Sequence, residues 1–182
     1  MAKISMTEGQ PLSNGVRTLV GAIPFIELAK KEYVAWRNAL TKEGYQRKPG
    51  ETRIKRFANE LRSKKVDIPT AILINAANES WTRALEQKSE GLFLFDTEKY
   101  KGKFHIVDGQ HRLQALLKTY ETDPSIVENL KLHVVMMLGA NEDQELEQFY
   151  VVNSTAKSVK TDLALDLLKH CLLYTSPSPR DS

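Results

Sequence analysis

The stretch FHIVDGQHRLQALL, residues 104–117, changes its hydrophobic period half-way along. Residues 104–107 are an apolar run of strand type. From residue 110 the apolar side chains recur at helical spacing, as Leu113, Leu116, Leu117 and Tyr120. Asp108 and Gly109 fall between the two patterns, and His111 and Arg112 fall in the first helical turn. The chain is therefore expected to leave a strand and enter a helix through one tight turn. Gly109 is the residue able to take a backbone conformation closed to others and to let another group approach the main chain.

Such a turn is suited to an anion. The first amides of a helix have no partner within it, and the positive end of the helix dipole lies there. Arg112 offers a planar donor fork that matches phosphate. His111 can donate to an anion or exchange a proton near neutral pH. Asp108 can cap the helix, hold Arg112, or reach a magnesium ion through water. A structural reading stands beside this one, because Asp-Gly before a helix is also a common turn and a first-turn Arg is often only solvated.

Working outward, residues 1–15 are polar and turn-rich and are expected to be a loose terminus. Residues 16–25 read as a strand. Residues 26–40 read as a helix with the stripe Ile26, Ala29, Tyr33, Trp36 and Leu40. A loop precedes a basic amphipathic helix over residues 53–65, with Ile54, Phe57, Ala58 and Leu61 on one face. Residues 68–75 are a buried-type strand, and residues 79–90 a short helix. Residues 91–96 and 103–108 look like a hairpin. After the helix at 110–121, residues 131–139 form a strand. Asn141 caps a helix that carries acidic residues in its first turn and Leu146, Phe149 and Tyr150 on an apolar face. Asn153 falls on that face, where burial would oblige it to find a partner. A loop at 154–160 leads to a last helix. The pattern predicts one α+β domain over residues 16–170, a mixed sheet flanked by helices.

The end of the chain reads differently. Residues 171–181 back-translate onto a widely used transposase sequencing adapter, so residues 171–182 are expected to be a library scar, with native sequence once continuing past Lys169. The single cysteine, Cys171, lies in that segment. This leaves the preceding residues without disulfides, thiolate metal sites or a cysteine nucleophile. The four histidines show no metal-ligand spacing, so no metal site is expected. No apolar run is long enough for a membrane span, and no signal-peptide pattern opens the chain, so a cytoplasmic protein without a membrane partner is expected. The formal net charge is +3, so any footprint for nucleic acid must be a local one.

VDGQHRLQAL resembles the signature of the DGQHR-domain family, which includes the DndB-type proteins of DNA phosphorothioation systems and is related to the ParB/sulfiredoxin-like superfamily. FYVVNSTAKSV, residues 149–159, is similar to a second segment of that family, with Ser158 where the family often has Pro. YQRKPGETRIKRFANEL, residues 45–61, resembles its Arg-bearing loop and basic helix more weakly. The resemblance covers roughly residues 15–165 and implies a ParB-like α+β fold, a role around DNA modification, and transcriptional control.

Together these observations name the candidates. Asp108, Gly109, Gln110, His111 and Arg112 would bind a phosphate or nucleotide, with Asn153, Ser154, Thr155 and Lys157 as a second wall. Arg47, Arg53, Lys55, Arg56 and Arg62 would contact DNA, unless they are simply a solvated face. Three functions follow. The first is a DNA-binding regulator or accessory protein of a modification or defence system. The second is a nucleotide-binding switch or hydrolase taking a nucleoside triphosphate with magnesium, in which Asp108 and His111 are the catalytic candidates. The third is a nuclease, disfavoured because no crowded acidic cluster adjoins the motif. DNA is the expected partner, with a nucleotide or a homo-oligomeric copy as further candidates.

Overall fold

A computed structural model describes residues 3–36, 44–46, 48, 50–64 and 67–155. The residues through Tyr150 form one compact unit, and Val151–Ser182 form another.

Alternation of apolar and polar side chains produces an eight-stranded mixed sheet in the first unit. In chain order the strands are β1 (Lys3–Glu8), β2 (Thr18–Pro24), β3 (Glu32–Tyr33), β4 (Ile72–Ala76), β5 (Leu85–Ser89), β6 (Leu92–Asp96), β7 (Phe104–Asp108) and β8 (Lys131–Leu138). Across the sheet the order is β3-β7-β4-β8-β2-β1-β6-β5. β3–β7 and β4–β8 are parallel, and the other pairs are antiparallel. The helices are α1 (Phe25–Lys31), α2 (Glu51–Arg62), α3 (Trp81–Ala84), α4 (Gln110–Thr122) and α5 (Glu142–Thr155). The α+β class expected from the sequence is therefore the class observed.

The sheet buries both faces. Phe104 and Ile106 of β7, Ile72 and Ile74 of β4, and Val134 and Met136 of β8 join the main core with Leu113 and Leu116 of α4. The alternate residues Val107 and Met137 join a smaller cluster with Val16 and Ala140, against which Leu73 and Phe149 pack. The period-two alternation of β7 thus aims successive side chains at two different cores.

Four expectations are corrected. The terminus expected to be loose contains β1, which lies between β2 and β6 with Ile4 and Met6 buried and Lys3, Ser5 and Thr7 exposed. The helix expected to reach Leu40 stops at Lys31. Glu32 takes an extended backbone (φ −65°, ψ 145°), and Glu32 and Tyr33 pair with Phe104 and His105. That stop is reinforced by the Lys31 ammonium, which donates to the carbonyls of Thr97 and Tyr100. The helix expected over residues 79–90 is only α3, and Leu85–Ser89 forms a strand on β6. Finally, β6 and β7 are not a hairpin: β6 pairs with β1 and β5, and β7 with β3 and β4. The intervening segment buries Tyr100 completely against Phe95 and Phe104, so it is a packed crossing and not a tight turn.

Candidate anion site

The turn between β7 and α4 is built around Gly109, at φ 96° and ψ 11°. A Cβ there would meet Arg112 Nη2 at 2.9 Å and two Ile72 methyl(ene) carbons at 3.1 Å. Both the backbone conformation and the space therefore select glycine. Gly109 is also the N-cap of α4, and no side chain caps that helix. Its carbonyl receives the amide of Leu113 at 3.0 Å, while the amides of Gln110, His111 and Arg112 have no acceptor among the described residues. Three donors are thus left at the positive end of the dipole, the condition for holding an anion.

Arg112 is used differently from the free fork that the sequence suggests. One terminal nitrogen donates to the carbonyls of Thr70 (3.0 Å) and Ala71 (3.1 Å) and to the Thr70 hydroxyl. The other donates to Asp108 Oδ2 at 3.0 Å. The side chain is only 19% exposed. Asp108, opposite Leu73 in the β4–β7 ladder, thereby orients a guanidinium that ties the first turn of α4 to the chain entering β4. Of the roles open to Asp108, holding Arg112 is the one seen.

A cavity of about 440 Å³ opens beside this turn, lined by Asp108, Gly109, His111 and Arg112 on one side and by Arg53, Ile54, Arg56, Phe57 and Glu60 of α2 on the other. Arg56 pairs with Glu60 at 2.9 Å. Among the described residues nothing engages the guanidinium of Arg53. Burial, and then the positive charge of Arg53, push the His111 pKa below its ordinary 6.5 against the opposing pull of Asp108. Both influences favour the neutral imidazole, which can donate a hydrogen bond to an anion and take up a proton.

Two of the other basic candidates have partners of their own. Lys55 pairs with Glu51 at 3.1 Å. Arg62 binds Thr122 Oγ1 at 2.8 Å and Asn59, which anchors the end of α2 to α4. Neither lines the cavity. Arg47 and Lys157 lie outside the described residues. Asn153, Ser154 and Thr155 end α5 within the second unit, and Asn153 and Ser154 are exposed. The apolar face expected on α5 is corrected as well. Leu146 is 45% and Tyr150 70% exposed, and it is Glu145, four residues before Phe149, that is buried.

Glu145 belongs to a polar network that the sequence reading passed over. Its carboxylate accepts from Asn75 Nδ2 at 2.6 Å and Tyr45 Oη at 3.2 Å and contacts His105 Nδ1 at 2.7 Å. Asn75 is fixed in turn by exchanging bonds with the backbone of Ala140. Burial and the nearby Glu145 charge push the Tyr45 phenol well above its usual range. Gln46, fully buried beside Tyr45, donates to the carbonyls of Ile106 and Val107, and its Oε1 has no partner among the described residues. The only signal for this network was Asn75 inside an apolar strand, ILINA. No group of three or more His, Cys, Asp or Glu side chains among the described residues could hold a metal. No described helix is long and apolar enough to cross a membrane.

A family profile described as DndB, DNA-sulfur modification-associated, matches residues 12–176. The chain belongs to the DndB family. The match contains every element from β2 to α5, and so both the Gly109 turn and the Glu145 network are parts of the DndB domain. It also runs six residues into the segment expected to be a library scar. No curated protein and no solved structure matches. DndB membership ties the chain to DNA sulfur modification.

Proposed function

We propose that this chain is a DNA-binding regulator or accessory protein of a DNA sulfur-modification system, which holds a backbone phosphate at the start of α4. One observation carries the reading: a single cavity is lined both by Arg53 and Arg56 of α2 and by Gly109, His111 and Arg112 at the uncapped start of α4. With a net charge of only +3, affinity for a polyanion must come from such a local concentration. The amides of His111 and Arg112 and the Arg53 side chain would supply the donors, the His111 ring one more, and the Asp108–Arg112 pair keeps the turn in shape.

Fluorescence anisotropy with a labelled duplex over a salt series tests it. Charge reversal at Arg53 and Arg56 should weaken binding and reduce the log–log salt slope by about one unit for each DNA phosphate that the two arginines neutralise in the wild type. Equal slopes for the wild type and the double variant remove this helix from the DNA interface.

The size of the cavity favours a second reading. About 440 Å³ lies within the range of small-ligand sites, which run to roughly 300–1,000 Å³. A nucleotide switch or hydrolase would place a terminal phosphate on the same amides. Saturable ATP or GTP binding that competes with the duplex and requires Gly109 would assign the site to a nucleotide.

A further inference from the structure

The apolar stripe of α2 is divided. Ala58 is buried and Leu61 packs against the main core, whereas Ile54 and Phe57 are half-buried and border the cavity. Standing three residues apart, they are neighbours on one side of the helix and make a continuous apolar wall. The same cavity holds the guanidinium of Arg53, the Arg56–Glu60 pair, His111 and the open end of α4. Its lining is therefore mixed, with donors for a negative charge beside a surface that offers none.

A phosphodiester fits that lining poorly in one respect. It has two non-bridging oxygens, and each is a strong acceptor. If one faces the amides of residues 111 and 112 and the other is turned to Ile54 and Phe57, that second oxygen loses its water without gaining a donor. Replacing that oxygen by sulfur removes the conflict. The group keeps its negative charge, but the sulfur is a weak acceptor, large and polarizable, and makes favourable contacts with aromatic rings. A phosphorothioate diester is also the group that sulfur modification leaves on DNA, and the family is associated with that modification.

We propose that the cavity between α2 and the Gly109 turn reads DNA phosphorothioate, with the oxygen on the α4 amides and Arg53 and the sulfur on Ile54 and Phe57. This rests on the phosphate-site reading above and adds the chemical identity of the group recognised. Because the cavity is chiral, only one diastereomer at phosphorus can place sulfur on the wall and oxygen on the donors at once. The preference is set by a few sulfur contacts and should be about two- to tenfold in affinity.

The experiment uses the full chain and three duplexes of one sequence: unmodified, and carrying a single phosphorothioate of either configuration. Affinities are measured by anisotropy competition. One diastereomer should bind more tightly than both other duplexes. In Phe57→Asn the ratio between that diastereomer and the unmodified duplex should fall to about one, and Phe57→Leu should retain part of it. Three equal affinities in the wild type, with binding that still depends on Arg53 and Arg56, overturn the sulfur reading and leave the phosphate site standing. No binding of any duplex at low salt removes both.

Discussion

Gly109→Ala puts the turn to a quantitative test. At φ 96° a residue with a Cβ sits in the left-handed region, at a cost of about 1–2 kcal/mol. Here the Cβ also arrives 2.9 Å from Arg112 Nη2 and 3.1 Å from Ile72, and Ile72 is fully buried. Overpacking of that kind costs a further ~1–3 kcal/mol. Gly91 provides the control: its φ is also positive, at 68°, but an added Cβ would meet nothing within 4 Å. Both substitutions stiffen the unfolded chain in the same way, so that contribution cancels in the comparison. Gly91→Ala should therefore show only the backbone cost, and Gly109→Ala should lose about 1–3 kcal/mol more. Urea denaturation of the two variants and the wild type at pH 7 measures the difference. Losses equal within about 0.5 kcal/mol would refute the claim that Arg112 and Ile72 close the turn against a side chain.

Two further predictions concern titratable groups. The folded-state pKa of His111 is lowered, so its charged form is favoured in the unfolded chain; stability should be unaffected above about pH 7 and should fall as pH drops through 6.5 towards the depressed value. The difference in stability between the wild type and His111→Gln, followed by thermal melts from pH 8 to 5, should carry that slope, and a flat difference would contradict it. Glu145→Ala should destabilise by about 2–4 kcal/mol, because Asn75 and Tyr45 lose a buried acceptor. Glu145→Gln should lose less, and a neutral alanine variant in urea denaturation would show that the network stabilises nothing.

What could be read from the sequence was whatever shows itself as local periodicity. Residues 104–117 revealed β7, the turn and α4 together, because the change of period and the glycine lie within one segment. α2, β4 and β8 were legible for the same reason. β1 was not: its alternation of Ile4 and Met6 is only two apolar residues long, and its place between β2 and β6 comes from pairings with distant chain. The shortening of α1 was hidden for a related reason. Tyr33 and Trp36 fit a helical stripe, but Tyr33 is held in β3 by His105, about seventy residues away. Glu145 defeated the reading of α5 most plainly. A pattern that ranks carboxylates as outward-facing cannot anticipate a buried one whose oxygens are satisfied by Asn75, Tyr45 and His105 from three other segments.

The same limit applied inside the motif and changes what the motif means. From sequence, Arg112 looks like the group that grips an anion, with Asp108 as one group that could instead hold it. In the fold its acceptors are the carbonyls of Thr70 and Ala71, from the chain entering β4, and the carboxylate of Asp108 at the end of β7. A guanidinium held this way shapes the turn, and its charge still favours a nearby anion. On the proposed reading, gripping would fall to groups left open beside the cavity: the amides of His111 and Arg112, and Arg53, which the sequence could only place on a basic helix. In the function proposed above, the motif and α2 act as one device: Asp108 and Arg112 fix the shape of the turn, and α2 would supply both a cation for the anion and the apolar wall.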